Sequence, residues 1–174
     1  MSPAPRSDQP AVPQSGPMDT PLAAPDRLLV SWDDLDRLVA ELADRVGDGW
    51  DVILVIARGG LVPAGMLAYR LGIRQILVAG VEYYDDAGGT LAAPVFHGFP
   101  AAELLRDRHA LVVDEVWETG STMAAVAARI RDAGGTATTA VLHWKPDRSR
   151  VAGQPDHYVE TTDRWVVYPY KPGG

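Results

Sequence analysis

The sequence predicts an α/β fold with a largely parallel sheet. Four apolar runs, "DVILVIA" (51–57), "QILVAGVEY" (75–83), "ALVVDE" (110–115) and "TATTAVLHW" (136–144), have the length and β-branched content of strands. Segments with apolar residues at helical spacing lie among them and end at Gly47, Gly72 and Gly134. Strands alternating with helices of these lengths are the pattern of βαβ units, which pair in parallel.

Taken in order, residues 1–25 hold seven of the fourteen prolines and almost no large apolar side chain, so a disordered tail is expected there. Residues 26–174 are then expected to form one domain. Ser31 reads as an N-cap with Asp33 and Asp34 in the first turn, followed by Leu35, Leu38, Val39, Leu42 and Val46 on one helical face. The strand 51–57 leads into "RGG" and the helix "LVPAGMLAYRLG". After the strand 75–83, residues 84–109 are rich in Gly, Pro and Asp and only weakly periodic. A stretch of that length reads as a flap serving a site, with a β-hairpin excursion as the alternative. The strand 110–115, a helix over 120–134 and the strand 136–144 complete the pattern. In such sheets ligands lie beyond the carboxyl ends of the strands, where "RGG" and "DEVWETGST" both fall.

The bulk numbers narrow the function. A formal charge of −7 weighs against non-specific binding to nucleic acid or anionic membrane. With no cysteine, thiol catalysis, disulfides and zinc–thiolate centres are excluded. No apolar run approaches the roughly 20 residues of a membrane span, and no signal-peptide pattern opens the chain. A cytoplasmic protein is expected.

The stretch "ALVVDEVWETGSTM" (110–123) carries the chemistry. A helix starting near Gly120 turns unpaired N–H groups and a positive dipole end outward, which suits a phosphate. Thr119, Ser121 and Thr122 add hydroxyls, and Gly120 permits close approach. Asp114, Glu115 and Glu118 would repel that phosphate unless they serve something else, such as sugar hydroxyls or Mg²⁺. A phosphorylated ribose satisfies all parts together; the plain alternative is a helix cap with acids complementing the dipole. "RGG" alone could be an ordinary strand-to-helix turn.

"LVVDEVWETGST" resembles the phosphoribosyl-pyrophosphate signature of type I phosphoribosyltransferases: an apolar strand, two acids, two variable residues, an acid, then Thr-Gly-x-Thr. "VILVIARGGLVPAGMLAYRLGIRQI" and "WKPDRSR…DHYVETTDRWVVYPY" are similar to the pyrophosphate loop and the base-recognition end of bacterial xanthine–guanine enzymes. The likeness spans about residues 29–171 and implies a mostly parallel sheet flanked by helices, with a small hood and a flexible flap. It also implies transfer of a phosphoribosyl group to a 6-oxopurine with Mg²⁺ as cofactor. The partners would be phosphoribosyl pyrophosphate and a purine base, in a homodimer or homotetramer.

On that resemblance, Asp114 and Glu115 meet the ribose hydroxyls directly or through Mg²⁺. Thr119, Gly120, Ser121, Thr122 and the Met123 amide cradle the 5′-phosphate. Glu118 stands where relatives usually carry Asp, as the base near purine N7. Arg58, Gly59 and Gly60 form the pyrophosphate loop, entered through a cis Ala57–Arg58 peptide. Lys145 donates to the purine O6, Trp165 stacks on the ring, and the Val166 backbone reads its edge. Tyr84 shields the site. Two positions depart from relatives: Tyr170-Lys171 replaces an aromatic followed by an acid, and Tyr83 replaces a serine. Those departures leave a non-catalytic sensor of sugar phosphate or nucleotide as the alternative function.

Overall fold

The structure is a computed structural model that describes residues 26–84 and 90–171, with side chains described except at 83–84 and 90–93. The expected tail, 1–25, and the tip of the expected flap, 85–89, lie outside the described residues.

Six strands form the main sheet in the order β4-β3-β2-β5-β6-β7. They are β2 (Val52–Ala57), β3 (Ile76–Tyr84), β4 (Thr90–Gly98), β5 (His109–Trp117), β6 (Thr136–Trp144) and β7 (His157–Thr161). All neighbours pair in parallel except β3 with β4. A separate two-stranded parallel sheet joins β1 (Arg27–Leu29) to β8 (Trp165–Val167) and supplies the hood. Residues 84–109 therefore contain the second strand of an antiparallel hairpin, as the alternative reading had it. Among the described residues, no helix is long and apolar enough to cross a membrane.

Strand alternation divides the core. Ile53 and Val55 of β2 face the helices α1 (Trp32–Val46) and α2 (Leu61–Leu71), packing with Leu35, Leu38, Leu42 and Leu67. Val52, Leu54 and Ile56 face the opposite side and pack with Val126 and Ile130 of α3 (Ser121–Asp132). A strand buried on both faces needs an unbroken apolar run, which "VILVIA" provides. Ser31 caps α1 reciprocally: its hydroxyl accepts the Asp34 amide at 3.1 Å while Asp34 accepts the Ser31 amide at 3.0 Å.

Because α2 leaves β2 on one face and α3 leaves β5 on the other, the adjacent ends of β2 and β5 diverge. They open a crevice at a topological switch point.

Candidate active site

The loop after β2 touches β5 at that crevice. A Cβ on Gly59 would lie 2.7 Å from Glu115 Oε1 and 2.8 Å from Asp114 Oδ1; one on Gly60 would lie 2.5 Å from the Val113 carbonyl oxygen. Only glycine lets the β2 loop pass this close to β5. The Ala57–Arg58 peptide is cis, as the resemblance implied. Arg58 is exposed and lines a cleft of about 820 Å³ with Gly59, Glu82, His97, Tyr170 and Lys171.

β5 runs two residues beyond the expected strand, to Trp117, because its pairing continues through Val116↔His143 and Trp117↔Trp144. Asp114 and Glu115 thus sit on a rigid strand rather than on the turn. The turn itself is Glu118–Gly120. Gly120 has φ 79°, and a Cβ there would lie 2.5 Å from the Trp117 ring. The glycine is thus required by the left-handed backbone and by the indole beneath it, beyond any need for ligand access. The Thr119 hydroxyl accepts the Ser121 amide at 3.3 Å. Thr119, Gly120, Thr122, Met123, Glu118 and Asp114 line a smaller hollow of about 170 Å³ at the start of α3. The Met123 side chain is buried in the core, so its backbone is the part that can serve a ligand.

A third group converges on Glu118. Lys145 is buried (3% exposed), yet its Nζ lies 3.4 Å from Glu118 Oε1 and 5.6 Å from the centre of the Trp165 ring. Arg148 Nη1 meets the same oxygen at 3.0 Å. Trp165 is 51% exposed, an unusual state for a strand tryptophan and the expected one for a stacking platform. In the hood, the Trp165 amide donates to the Asp26 carbonyl and the Val30 amide to the Val167 carbonyl. Backbone groups alternate along a strand, so the Val166 N–H and C=O turn to the edge away from β1. Lys145, Arg148 and Trp165 line a hollow of about 280 Å³ with Asp26, Asp163 and Arg164. Tyr84 ends β3, and its side chain lies outside the described residues.

Residues 29–170 match the family model of the phosphoribosyl transferase domain. The chain belongs to the phosphoribosyltransferase family. Solved structures agree. A purine phosphoribosyltransferase of Pyrococcus horikoshii is 31% identical, with TM-score 0.67, over 84% of this chain and 94% of that one. A protein of Neisseria gonorrhoeae with bound ppGpp is 27% identical, with TM-score 0.70, over 86% and 92%. A xanthine–guanine–hypoxanthine phosphoribosyltransferase of Helicobacter pylori, 16% identical over 83% and 92% with TM-score 0.68, shares the fold.

Within this site the acids have unequal surroundings. Tyr170 donates its hydroxyl to Glu115 Oε2 at 2.6 Å, and Lys171 donates its ammonium to Oε1. The buried Tyr168 hydroxyl donates to the Glu115 carbonyl at 2.9 Å and lies 2.7 Å from His143 Nδ1. Burial holds His143 below its ordinary range. Asp114 accepts the Glu115 amide at 2.7 Å and has no ion pair among the described residues. Burial and the adjoining Glu115 carboxylate push its carboxyl up to about 8.

That imbalance bears on Mg²⁺. Among the described residues no cluster of three or more His, Asp or Glu could hold a metal. Two adjacent carboxylates, one lacking a cation, fit an ion that draws its other ligands from substrate and water, as Mg²⁺ does beside phosphates. Sequence reasoning did not find Arg148, the Tyr168–His143 support or the Trp117 floor. Trp117 stands at a variable position of the signature, and Arg148, although inside the stretch "WKPDRSR", carries no role in the resemblance.

Proposed function

We propose that the protein transfers the 5-phosphoribosyl group from phosphoribosyl pyrophosphate to a 6-oxopurine, hypoxanthine, guanine or xanthine, releasing pyrophosphate and a nucleoside monophosphate. The observation that carries this reading is the contact of Asp114 and Glu115 with Gly59. It joins a ribose-type acidic pair to a diphosphate-type loop from a different strand.

In this reading the N–H groups at the start of α3 and the Thr119 and Thr122 hydroxyls hold the 5′-phosphate. Asp114 and Glu115 orient the ribose through its hydroxyls, and Arg58 with the Gly59–Gly60 amides receives the diphosphate. Mg²⁺, held by Asp114 beside Glu115, would neutralise charge on the leaving diphosphate. Trp165 supports the purine face, the Val166 backbone reads its edge, and Lys145 donates to O6. As Lys145 turns to O6, Glu118 keeps Arg148 and becomes free to accept a proton at N7. The purine nitrogen then forms a bond to C1′ as the C1′–O bond to diphosphate breaks, through an oxocarbenium-like transition state. Alignment and neutralisation of the leaving charge supply most of the acceleration, with Tyr84 and the hairpin excluding water. Highly charged substrates of this kind do not cross membranes, which supports a cytoplasmic setting; homodimers or homotetramers follow from the family resemblance.

The test is pyrophosphate release from phosphoribosyl pyrophosphate and Mg²⁺ with hypoxanthine, guanine, xanthine, adenine and uracil in turn. Release with 6-oxopurines alone is expected; release with uracil alone would overturn the base assignment. A second reading, a nucleotide sensor without turnover, is favoured by Lys171 in place of an acid and by the likeness to the ppGpp-bound protein. It predicts tight nucleotide binding and no release with any base.

A further inference from the structure

Both carboxylate oxygens of Glu115 are occupied from within the chain: Lys171 donates to Oε1, and Tyr170 to Oε2 at 2.6 Å. The Glu115 side chain is 9% exposed and that of Lys171 47%, so the lysine reaches from the solvent edge into the site. Its base is anchored, since the Lys171 amide donates to the Tyr168 carbonyl at 3.0 Å. Tyr168 in turn holds the Glu115 carbonyl, so Lys171 and its acid share one support. Lys171 also walls the cleft that contains Arg58 and Gly59. A compact ammonium and a divalent ion seek the same carboxylate, and their repulsion at that distance weakens the hold of each.

We propose that Lys171 is an internal cation at Glu115. It competes with divalent metal for that carboxylate, so the site accepts its metal through Asp114 and the oxygens of the substrate. The same ammonium then faces the diphosphate side of the cleft and neutralises it in place of a further metal ion. Only this last clause rests on the phosphoribosyl-transfer reading; competition for Glu115 is a property of the free protein.

The experiment measures Mn²⁺ binding to the full chain, free of substrate, by electron paramagnetic resonance of the unbound ion. K171M is expected to bind Mn²⁺ about tenfold more tightly than the native protein, because a poorly solvated carboxylate loses its counter-ion. K171R, which keeps the charge, should bind as the native protein does, and K171M/E115Q should lose the gain. Equal affinity of native and K171M overturns the proposal, as does tight binding that survives E115Q. K171Q gives the same comparison if K171M melts too low to assay. Absence of pyrophosphate release would sink the transferase reading while leaving the Mn²⁺ comparison decisive for Lys171.

Discussion

Replacing Asp114 with asparagine should stabilise the free protein at neutral and alkaline pH. Burial and the Glu115 carboxylate push the Asp114 carboxyl up to about 8, against the pull of Lys171 and the Glu115 amide. In the unfolded chain the same group titrates near 3.9. Between those two values the folded protein retains a proton that the unfolded chain has released. Stability through this group is therefore fullest below about pH 4 and is lost as pH rises towards 8. The whole shift is worth about 6 kcal/mol as an upper bound; rotation towards water or Lys171 should reduce that to about 1–2 kcal/mol, with the loss then nearly complete by about pH 5. D114N, which never ionises, escapes the loss. Its Tm should exceed the native value by roughly 3–6 °C at pH 8 and approach it at pH 4, for a domain of this size. Scanning calorimetry at both pH values reads this directly. A D114N protein less stable at pH 8, or a difference equal at the two pH values, would refute the reasoning.

Three further outcomes follow from the geometry. E118Q should lower kcat about a hundredfold while phosphoribosyl-pyrophosphate binding changes less than about twofold, measured by steady-state kinetics and calorimetry; equal losses in both would remove Glu118 from the base role. G120A places a Cβ 2.5 Å from the Trp117 ring at φ 79°, so urea denaturation should show a loss of about 2–4 kcal/mol from left-handed strain and overpacking. W165A removes a half-exposed ring, so stability should fall by less than about 1 kcal/mol, whereas nucleoside monophosphate affinity should drop roughly tenfold or more in a binding titration if the ring stacks on the base.

The elements that could be read from the sequence are those whose causes are local. Ser31 and Asp34 cap α1 within four residues of chain, and "VILVIA" is apolar throughout because both of its faces are covered. β4 was harder to read because it carries Pro94 and closes at Gly98, and its place is set by antiparallel pairing along β3 rather than by its own pattern. The strands of the hood are three residues each and exist only because opposite ends of the chain meet, Arg27 beside Trp165. The site divides the same way. The signature at 114–123 is contiguous and therefore visible, whereas Arg148 reaches Glu118 only through the fold. The reach of β5 to Trp117 was hidden because acids at 114 and 115 resemble the end of a strand. Pairing with β6 carries it on regardless.

The charges at the crevice explain why one ligand could complete the site. Glu115 is satisfied by Lys171 and Tyr170, and Glu118 by Lys145 and Arg148. Asp114 has no ion pair among the described residues, and neither has Arg58 on the opposite wall. A free cation would relieve Asp114 and leave Arg58 unmet; a free diphosphate would do the reverse and bring further negative charge towards Asp114 and Glu115. A metal–diphosphate complex presents both signs at once, so each half lowers the cost of binding the other. On the phosphoribosyl-transfer reading, the folded chain should therefore favour the joint ligand over either part.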